Sequence, residues 1–197
     1  QMNQRISAAF GEYMVRVPLR KSATIVCGNA LQIEWETIAN GERYDHILGN
    51  PPFIGSKLMN AEMRTDIARI FAGVKGAGTL DYVCGWYGLA AAYMRTHGNK
   101  KTTTAFVSTN SITQGEQVGV LWGPLLERGI KLHFAHQTFR WNNEARGVAA
   151  VHCVIVGFAD FDIAKKRLFT YEEPLGEPIE NVCGNISPYL IQGPDLF

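Results

Sequence analysis

The sequence predicts an α/β domain whose sheet is mostly parallel and ends in an antiparallel strand pair. Three observations point there. Short apolar or β-branched runs recur along the chain. Helical patterns separate most of them. The last two runs are joined by too few residues for a crossover helix. The 197 residues suffice for one domain with a substantial core. Apolar residues make up 46% and charged residues 19%, which excludes a disordered tail, a collagen-like rod and a coiled coil.

The runs that read as strands are 23–31 (ATIVCGNAL), 44–50 (YDHILGN), 102–110 (TTTAFVSTN), 130–139 (IKLHFAHQTF) and 149–159 (AAVHCVIVGFA). Between them, residues 60–72 place Met63, Ile67, Ile70 and Phe71 near one helical face. Residues 79–96 carry Leu80, Val83, Tyr87, Leu89 to Ala92 and Met94, the pattern of a helix buried on much of its circumference. Residues 115–128 make a poorer helix, because Gly119 and Gly123 weaken it and Pro124 suggests a kink or two short pieces. Gly98 and Gly129 fall where helix-ending glycines belong. The nine residues 140–148 are too short for a crossover, so the strands they join are expected to be antiparallel. After about residue 160 no clean period remains. Residues 1–22 therefore read as an N-terminal extension, 23–160 as the folded domain, and 161–197 as a Pro-, Gly- and Glu-rich connector leaving it.

Charge and cysteine usage narrow the function classes. Nineteen Lys and Arg against 18 Asp and Glu give a net charge of +1, so no strongly basic surface exists as a bulk property. No apolar run approaches the roughly 18–20 residues that span a bilayer, and no basic-then-apolar leader opens the chain. The expectation is a cytoplasmic protein with no membrane contact. Cys27, Cys84, Cys153 and Cys183 form no C-x-x-C pair and read as isolated buried thiols. His133 and His136, three apart on a strand, point to opposite faces, so no metal site is expected.

The residues that carry chemistry are Asn50, Pro51, Pro52 and Phe53, directly after an acidic residue and a strand expected to be buried. Asn50 precedes a proline and is pushed to an extended conformation. Pro51 and Pro52 have fixed φ and donate nothing, yet their carbonyls still accept. The Asn50 side-chain oxygen and the Pro51 carbonyl thus form a stiff acceptor pair, with Phe53 as an apolar plate beside it. Such a pair suits a planar substrate with an exocyclic amine. Two acceptors on its hydrogens favour a pyramidal nitrogen, localise the lone pair and stabilise the positive charge of attack.

Asn50-Pro51-Pro52-Phe53 resembles the fourth motif of S-adenosylmethionine-dependent amino methyltransferases. Asn29, Ala30 and Leu31, after Gly28, resemble the motif that contacts the cofactor adenine, and Asp81 with Tyr82 resembles the motif that packs near the cofactor. Residues 106–111 (FVSTNS) look like the following strand motif. Residues 139–158 resemble the strand pair and loop of adenine-N6 DNA methyltransferases, and with residues 186–197 the pattern is most similar to the MmeI-like restriction–modification group. The resemblance implies a partial Rossmann-like class I methyltransferase sheet and methylation of the N6 amine of an adenine flipped out of duplex DNA. The implied cofactor contacts are Asn29, Ala30, Leu31, Asn50 and Asp81. A flipped base needs two stacking plates. Phe53 supplies one and either Phe139 or Trp141 the other. Arg140 and Arg146 are candidate phosphate contacts, while Asn142 and Asn143 either meet a base edge or shape the turn.

The resemblance has one departure. Neither the Gly-rich turn that cradles the methionine part of the cofactor nor the acid that binds its ribose precedes residue 28. The chain is therefore expected to be part of a longer protein whose nuclease, cofactor-binding start and target-recognition domain lie outside it. It is expected to bind S-adenosylmethionine weakly or not at all alone, and to self-associate through uncovered sheet. The same acceptor pair also fits an RNA guanine or a protein glutamine, and the missing turn fits a non-catalytic α/β binding domain.

Overall fold

The structure is a computed structural model that describes residues 23–39, 42–96, 101–141 and 151–196. In chain order the elements are α1 (Trp35–Ile38), β1 (His46–Gly49), α2 (Ala61–Ile70), α3 (Cys84–Thr96), β2 (Thr103–Thr109), α4 (Glu116–Glu127), β3 (Lys131–Trp141), β4 (Val151–Ala159), β5 (Lys166–Thr170) and β6 (Ile179–Cys183). Short 3-10 turns occupy Ser56–Leu58, Ala77–Thr79 and Asn110–Thr113. No helix among the described residues is long and apolar enough to cross a membrane.

The six strands form one mixed sheet in the order β1-β2-β4-β3-β5-β6. β1 and β2 are parallel, as are β3 and β5, whereas β4 is antiparallel to both its neighbours and β6 to β5. Four strands thus share one direction and two oppose it. The expected β3–β4 antiparallel pair is present, but the sheet is less parallel than the sequence suggests, because β4 inserts between β2 and β3. The composition of β4 explains its central place. Cys153, Val154, Val156, Phe158 and Ala159 are all buried, a nearly continuous apolar run that needs cover on both faces.

One face of the sheet is closed by α3 and α4. Tyr87 of α3 lies at the middle of an aromatic cluster, 5.2 Å from Phe106, 5.5 Å from Trp122 and 5.3 Å from Phe158 between ring centroids. Its buried hydroxyl shares a 2.8 Å hydrogen bond with Ser108, and burial pushes its pKa up. Phe134 pairs with Gly157 across β3 and β4, and a Cβ at Gly157 would lie 2.1 Å from its ring. Glycine is therefore required there for close packing.

Several expectations are corrected. Residues 23–31 form no strand. The run is β-branched enough, but among the described residues nothing pairs with it, and Ile25 is 90% exposed. Residues 28–33 instead make a turn in which Gln32 and Ile33 donate to the Asn29 carbonyl at 2.9 and 3.2 Å. Residues 115–128 form one continuous helix despite Pro124, anchored by buried Val118, Leu121, Trp122 and Leu125. It ends as expected at Gly129 (φ +90°), with Ile130 donating to the Leu125 carbonyl and Gly129 to Leu126. Gly98 lies outside the described residues. The helix expected over 79–96 starts only at Cys84, since residues 80–83 are taken up by turns. Residues 161–197 were expected to lack regular elements, yet β5 and β6 extend the sheet and Leu168, Cys183, Ile186 and Leu190 join the core. Three cysteines are buried, but Cys27 is exposed.

Candidate active site

β1, β2 and β3 end at the same edge of the sheet, and of the sequence-predicted residues Asn50 to Phe53 follow β1 there and Phe139 to Trp141 end β3. Asn50 to Phe53 follow β1 directly. Asn50 and Pro52 are exposed, Pro51 is buried and Phe53 half-buried, so the corner is rooted in the fold while its amide reaches solvent. Among the described residues none hydrogen-bonds the Asn50 side chain. The strand before it differs from expectation. Among the described residues β1 is the edge strand, partnered on one side only, and Leu48 is 77% exposed. An open cavity of ≈ 420 Å³ runs along β1 into the corner. His46 to Pro52 form one side of its lining, and Ala30, Trp35, Tyr44, Trp86 and Phe106 contribute the rest. The volume falls within the range of about 300–1,000 Å³ common for small-molecule sites.

The loop beyond the corner is fastened by Asp81. Its Oδ1 accepts the Ser56 backbone N–H at 2.8 Å and its Oδ2 accepts the Ser111 hydroxyl at 2.6 Å. Its own N–H donates to Gln117 Oε1 at 3.1 Å. Tyr82 donates its N–H to the Ile54 carbonyl at 2.9 Å, and Ile54 donates to Pro52 at 3.1 Å. Asp81 is 8% exposed and does not line the cavity. In this structure it ties the segment after β1 to the 3-10 turn after β2.

Asn29 and Leu31 are likewise occupied. Asn29 Oδ1 accepts the Leu31 N–H at 3.0 Å, and its Nδ2 donates to Asp66 Oδ2 at 3.0 Å and to the Tyr82 hydroxyl at 3.2 Å. Tyr82 donates to the same Asp66 oxygen at 2.9 Å, and burial first, with Asp66 and Glu62 nearby, raises its pKa. Gln32 Nε2 donates to Asp66 Oδ1 at 3.1 Å, and the Arg69 guanidinium donates to the Leu31 carbonyl. Leu31 is buried against Gly85, where a Cβ would lie 2.7 Å from its Cδ1. Ala30 alone of the three lines the cavity, and its carbonyl accepts the Trp35 indole N–H at 2.8 Å.

Phe139 and Trp141, the two candidates for the opposite plate, stand at the end of β3, and Phe139 is not on the cavity lining. Phe139 is half-buried, and its ring stacks on Tyr171 at 5.5 Å and 29°. His136 lies 6.4 Å away, donating to or accepting from the Tyr171 hydroxyl at 2.7 Å and stacking on Phe169 at 4.2 Å. Arg140 is exposed, and its backbone N–H donates to the Pro174 carbonyl at 2.7 Å. Trp141 is the last residue of β3, its side chain outside the described residues, as are Asn142, Asn143 and Arg146 altogether. The structure thus joins Ala30, Asn50, Pro51 and Pro52 in one cavity and leaves Asn29, Leu31, Phe53 and Asp81 off its lining.

Sequence reading missed Trp35, Tyr44 and Trp86, which give the cavity its aromatic surface. Trp35 follows the Asn29 turn by six residues and Tyr44 opens the β1 run, so an aromatic count around the corner could have flagged both. The lining offers planar apolar surface, one free amide and no carboxylate. It therefore fits a flat heteroaromatic group and its amine better than a ribose.

Residues 1–170 match the family model of the MmeI DNA-methyltransferase domain. DNA methyltransferase A of Bacillus subtilis (strain 168) is 38% identical over 200 residues, covering all of this chain and 22% of that protein. The type IIL restriction–modification enzyme MmeI, solved in complex with DNA, superposes with a TM-score of 0.85 at 48% identity, covering 99% of this chain and 26% of that one. A type I restriction-enzyme modification subunit from Vibrio vulnificus YJ016 shares the fold alone, with a TM-score of 0.50 at 16% identity over 76% of this chain and 30% of that one. The chain spans about a quarter of the length of the first two relatives.

Proposed function

The chain belongs to the MmeI DNA-methyltransferase domain family, and from that premise we propose that it supplies the amine-binding corner of a restriction–modification enzyme. The enzyme would move a methyl group from S-adenosylmethionine to the N6 amine of an adenine flipped out of duplex DNA. The relatives, several times longer than this chain, are named as a DNA methyltransferase and as an enzyme solved with DNA. They support the substrate class.

One observation carries the reading: Asn50 presents an exposed amide, without a partner among the described residues, at the mouth of an aromatic-lined cavity, on a backbone fixed by two prolines. In the proposed reaction the Asn50 Oδ1 and the Pro51 carbonyl accept the two amine hydrogens. That draws the nitrogen lone pair out of the ring and stabilises the cation that forms, without rearrangement at the moment of transfer. The proton then leaves to solvent. The cofactor, when bound, supplies the electrophilic methyl. Ala30, Asn50 and the aromatic walls are the residues here that would hold its planar end. The lining lacks a carboxylate for the ribose, so the isolated chain should bind the cofactor weakly, and firm binding would need residues of the longer protein. Phe53 and either Phe139 or Trp141 are proposed as the stacking plates. Asn143, Arg140 and Arg146 are proposed as DNA contacts, and Asn29, Leu31 and Asp81 as residues that shape the cofactor side from behind. Residues 161–197 are proposed to lead on toward a target-recognition domain.

The test is tritiated methyl incorporation into duplex DNA by the full-length protein, followed by digestion and identification of the modified base. N6-methyladenine is the expected product. Methylcytosine, or label found only in RNA or protein, would replace the adenine reading.

A further inference from the structure

Leu58 is 81% exposed, and nothing about its mounting is loose. It ends the 3-10 turn Ser56–Leu58, five residues after Phe53, and its N–H donates to the Gly55 carbonyl at 2.9 Å. The Ser56 N–H is held by Asp81, whose other oxygen is held by Ser111 after β2. The next residue, Met59, is 5% exposed and belongs to the core. A large aliphatic side chain is thus held out into solvent from a pinned base. It stands at the carboxyl edge of the sheet, in the loop that leaves the amine-binding corner. Lys57, beside it on the same turn, is exposed, and the first turn of α2 that follows carries exposed Glu62 and Arg64. The two comparably exposed aliphatics lack this setting: Ile25 precedes the Asn29 turn in a stretch with no ladder, and Leu48 belongs to the β1 edge.

Flipping a base opens a gap in the stack that water fills poorly, and an apolar side chain entering it lowers the cost of keeping the base out. We propose, resting on the DNA-methyltransferase reading, that Leu58 enters the duplex beside the target base and fills the space the base leaves, with Lys57 against the adjoining phosphates. Duplex DNA is the occupant because the exposed apolar tip adjoins the Lys57 cation, and because a relative that matches nearly the whole of this chain is solved on DNA. Such a tip matters most on paired DNA, because a target that is already unpaired costs less to extrude and depends less on it.

The experiment uses the full-length protein, with its methylated sequence first mapped on plasmid DNA. Leu58→Ala and Leu58→Met are compared with wild type on two short duplexes, one fully paired and one with an abasic site opposite the target base. Leu58→Ala should slow methylation of the paired duplex by about tenfold or more and stay within about twofold of wild type on the abasic duplex. Leu58→Met should behave as wild type on both. With 2-aminopurine at the target position, Leu58→Ala should also give a smaller fluorescence rise on binding. Equal loss on the two duplexes overturns the proposal, and a lowered thermal midpoint alongside it would mean that Leu58 packs against another part of the longer protein. Undiminished methylation of the paired duplex overturns it as well. Failure of the wild type to methylate any DNA would instead overturn the reading beneath it.

Discussion

Asn29 donates its amide to Asp66 at 3.0 Å, across 37 residues, and Asp66 takes the Tyr82 hydroxyl on the same oxygen. Asn29 is therefore a donor to a buried acid, which is 3% exposed. An aspartate at position 29 would face that acid as a second negative charge. Asn29→Asp should destabilise the protein by about 1–3 kcal/mol. Adding Asp66→Asn should recover most of the loss, because the donor then lies on the other partner. Urea titration of the single and double variants measures this, and a single variant as stable as wild type would contradict the network.

Asn50→Ala removes one acceptor of the proposed amine site and leaves an exposed position. Methyl transfer should fall by about 100- to 1,000-fold, the usual range for a preorganised group at a developing charge. The thermal midpoint should not move. Tritium incorporation and a melting curve on one preparation separate the two effects.

Asp81→Ala leaves the Ser56 N–H and the Ser111 hydroxyl without their acceptor. It should cost about 1–3 kcal/mol, which lowers the melting midpoint by several degrees at about 2–4 °C per kcal/mol. Asp81→Asn retains an oxygen for Ser56 and should lose less. Ser111→Ala removes the bonds to Asp81 and Thr109 but leaves Ser56 held, and should lose less than Asp81→Ala.

His136 carries the pH dependence. Burial, and then Arg167, lower its pKa from the usual 6.5, so the neutral ring is favoured in the fold, stacked on Phe169 and bonded to Tyr171. On acidification the unfolded chain takes up this proton first. Stability should therefore decline as pH falls below about 7 and stop declining once the folded ring also protonates. His136→Gln, which can still bond Tyr171, should flatten that decline. Denaturation midpoints between pH 5 and 8 would reveal it, and identical slopes would remove His136 as the cause.

Much of this architecture is legible in the sequence. The alternation of apolar runs with helical stretches gives the α/β character, and the short 140–148 connection gives the antiparallel β3–β4 pair. The Asn50 corner is found by local chemistry, since two prolines fix the backbone whatever surrounds them. What eludes sequence reading depends on partners. Residues 23–31 have strand composition, but a strand exists only where another edge is available. β5 and β6 are short and partly exposed, so no alternation announces them. Pro124 is tolerated because Leu121, Trp122 and Leu125 hold its helix against the sheet. Apart from the local Asn29–Leu31 bond, the side-chain bonds of Asn29 and Asp81 reach residues 25 to 53 positions away, beyond any local pattern.

The insertion of β4 between β2 and β3 has a consequence for how the molecule is made. On a ribosome β2 and β3 emerge before the strand that must lie between them, so each waits with a bare ladder edge until residues 151–159 arrive. Pairings such as Thr103 with Ala159 close long loops, which slows their formation. A chain halted before residue 151 would hold the β1–β2 pair and a lone β3 with no strand to join them, and an uncovered aromatic cluster at Tyr87. Nascent polypeptides stalled at that length should be the ones that chaperones retain.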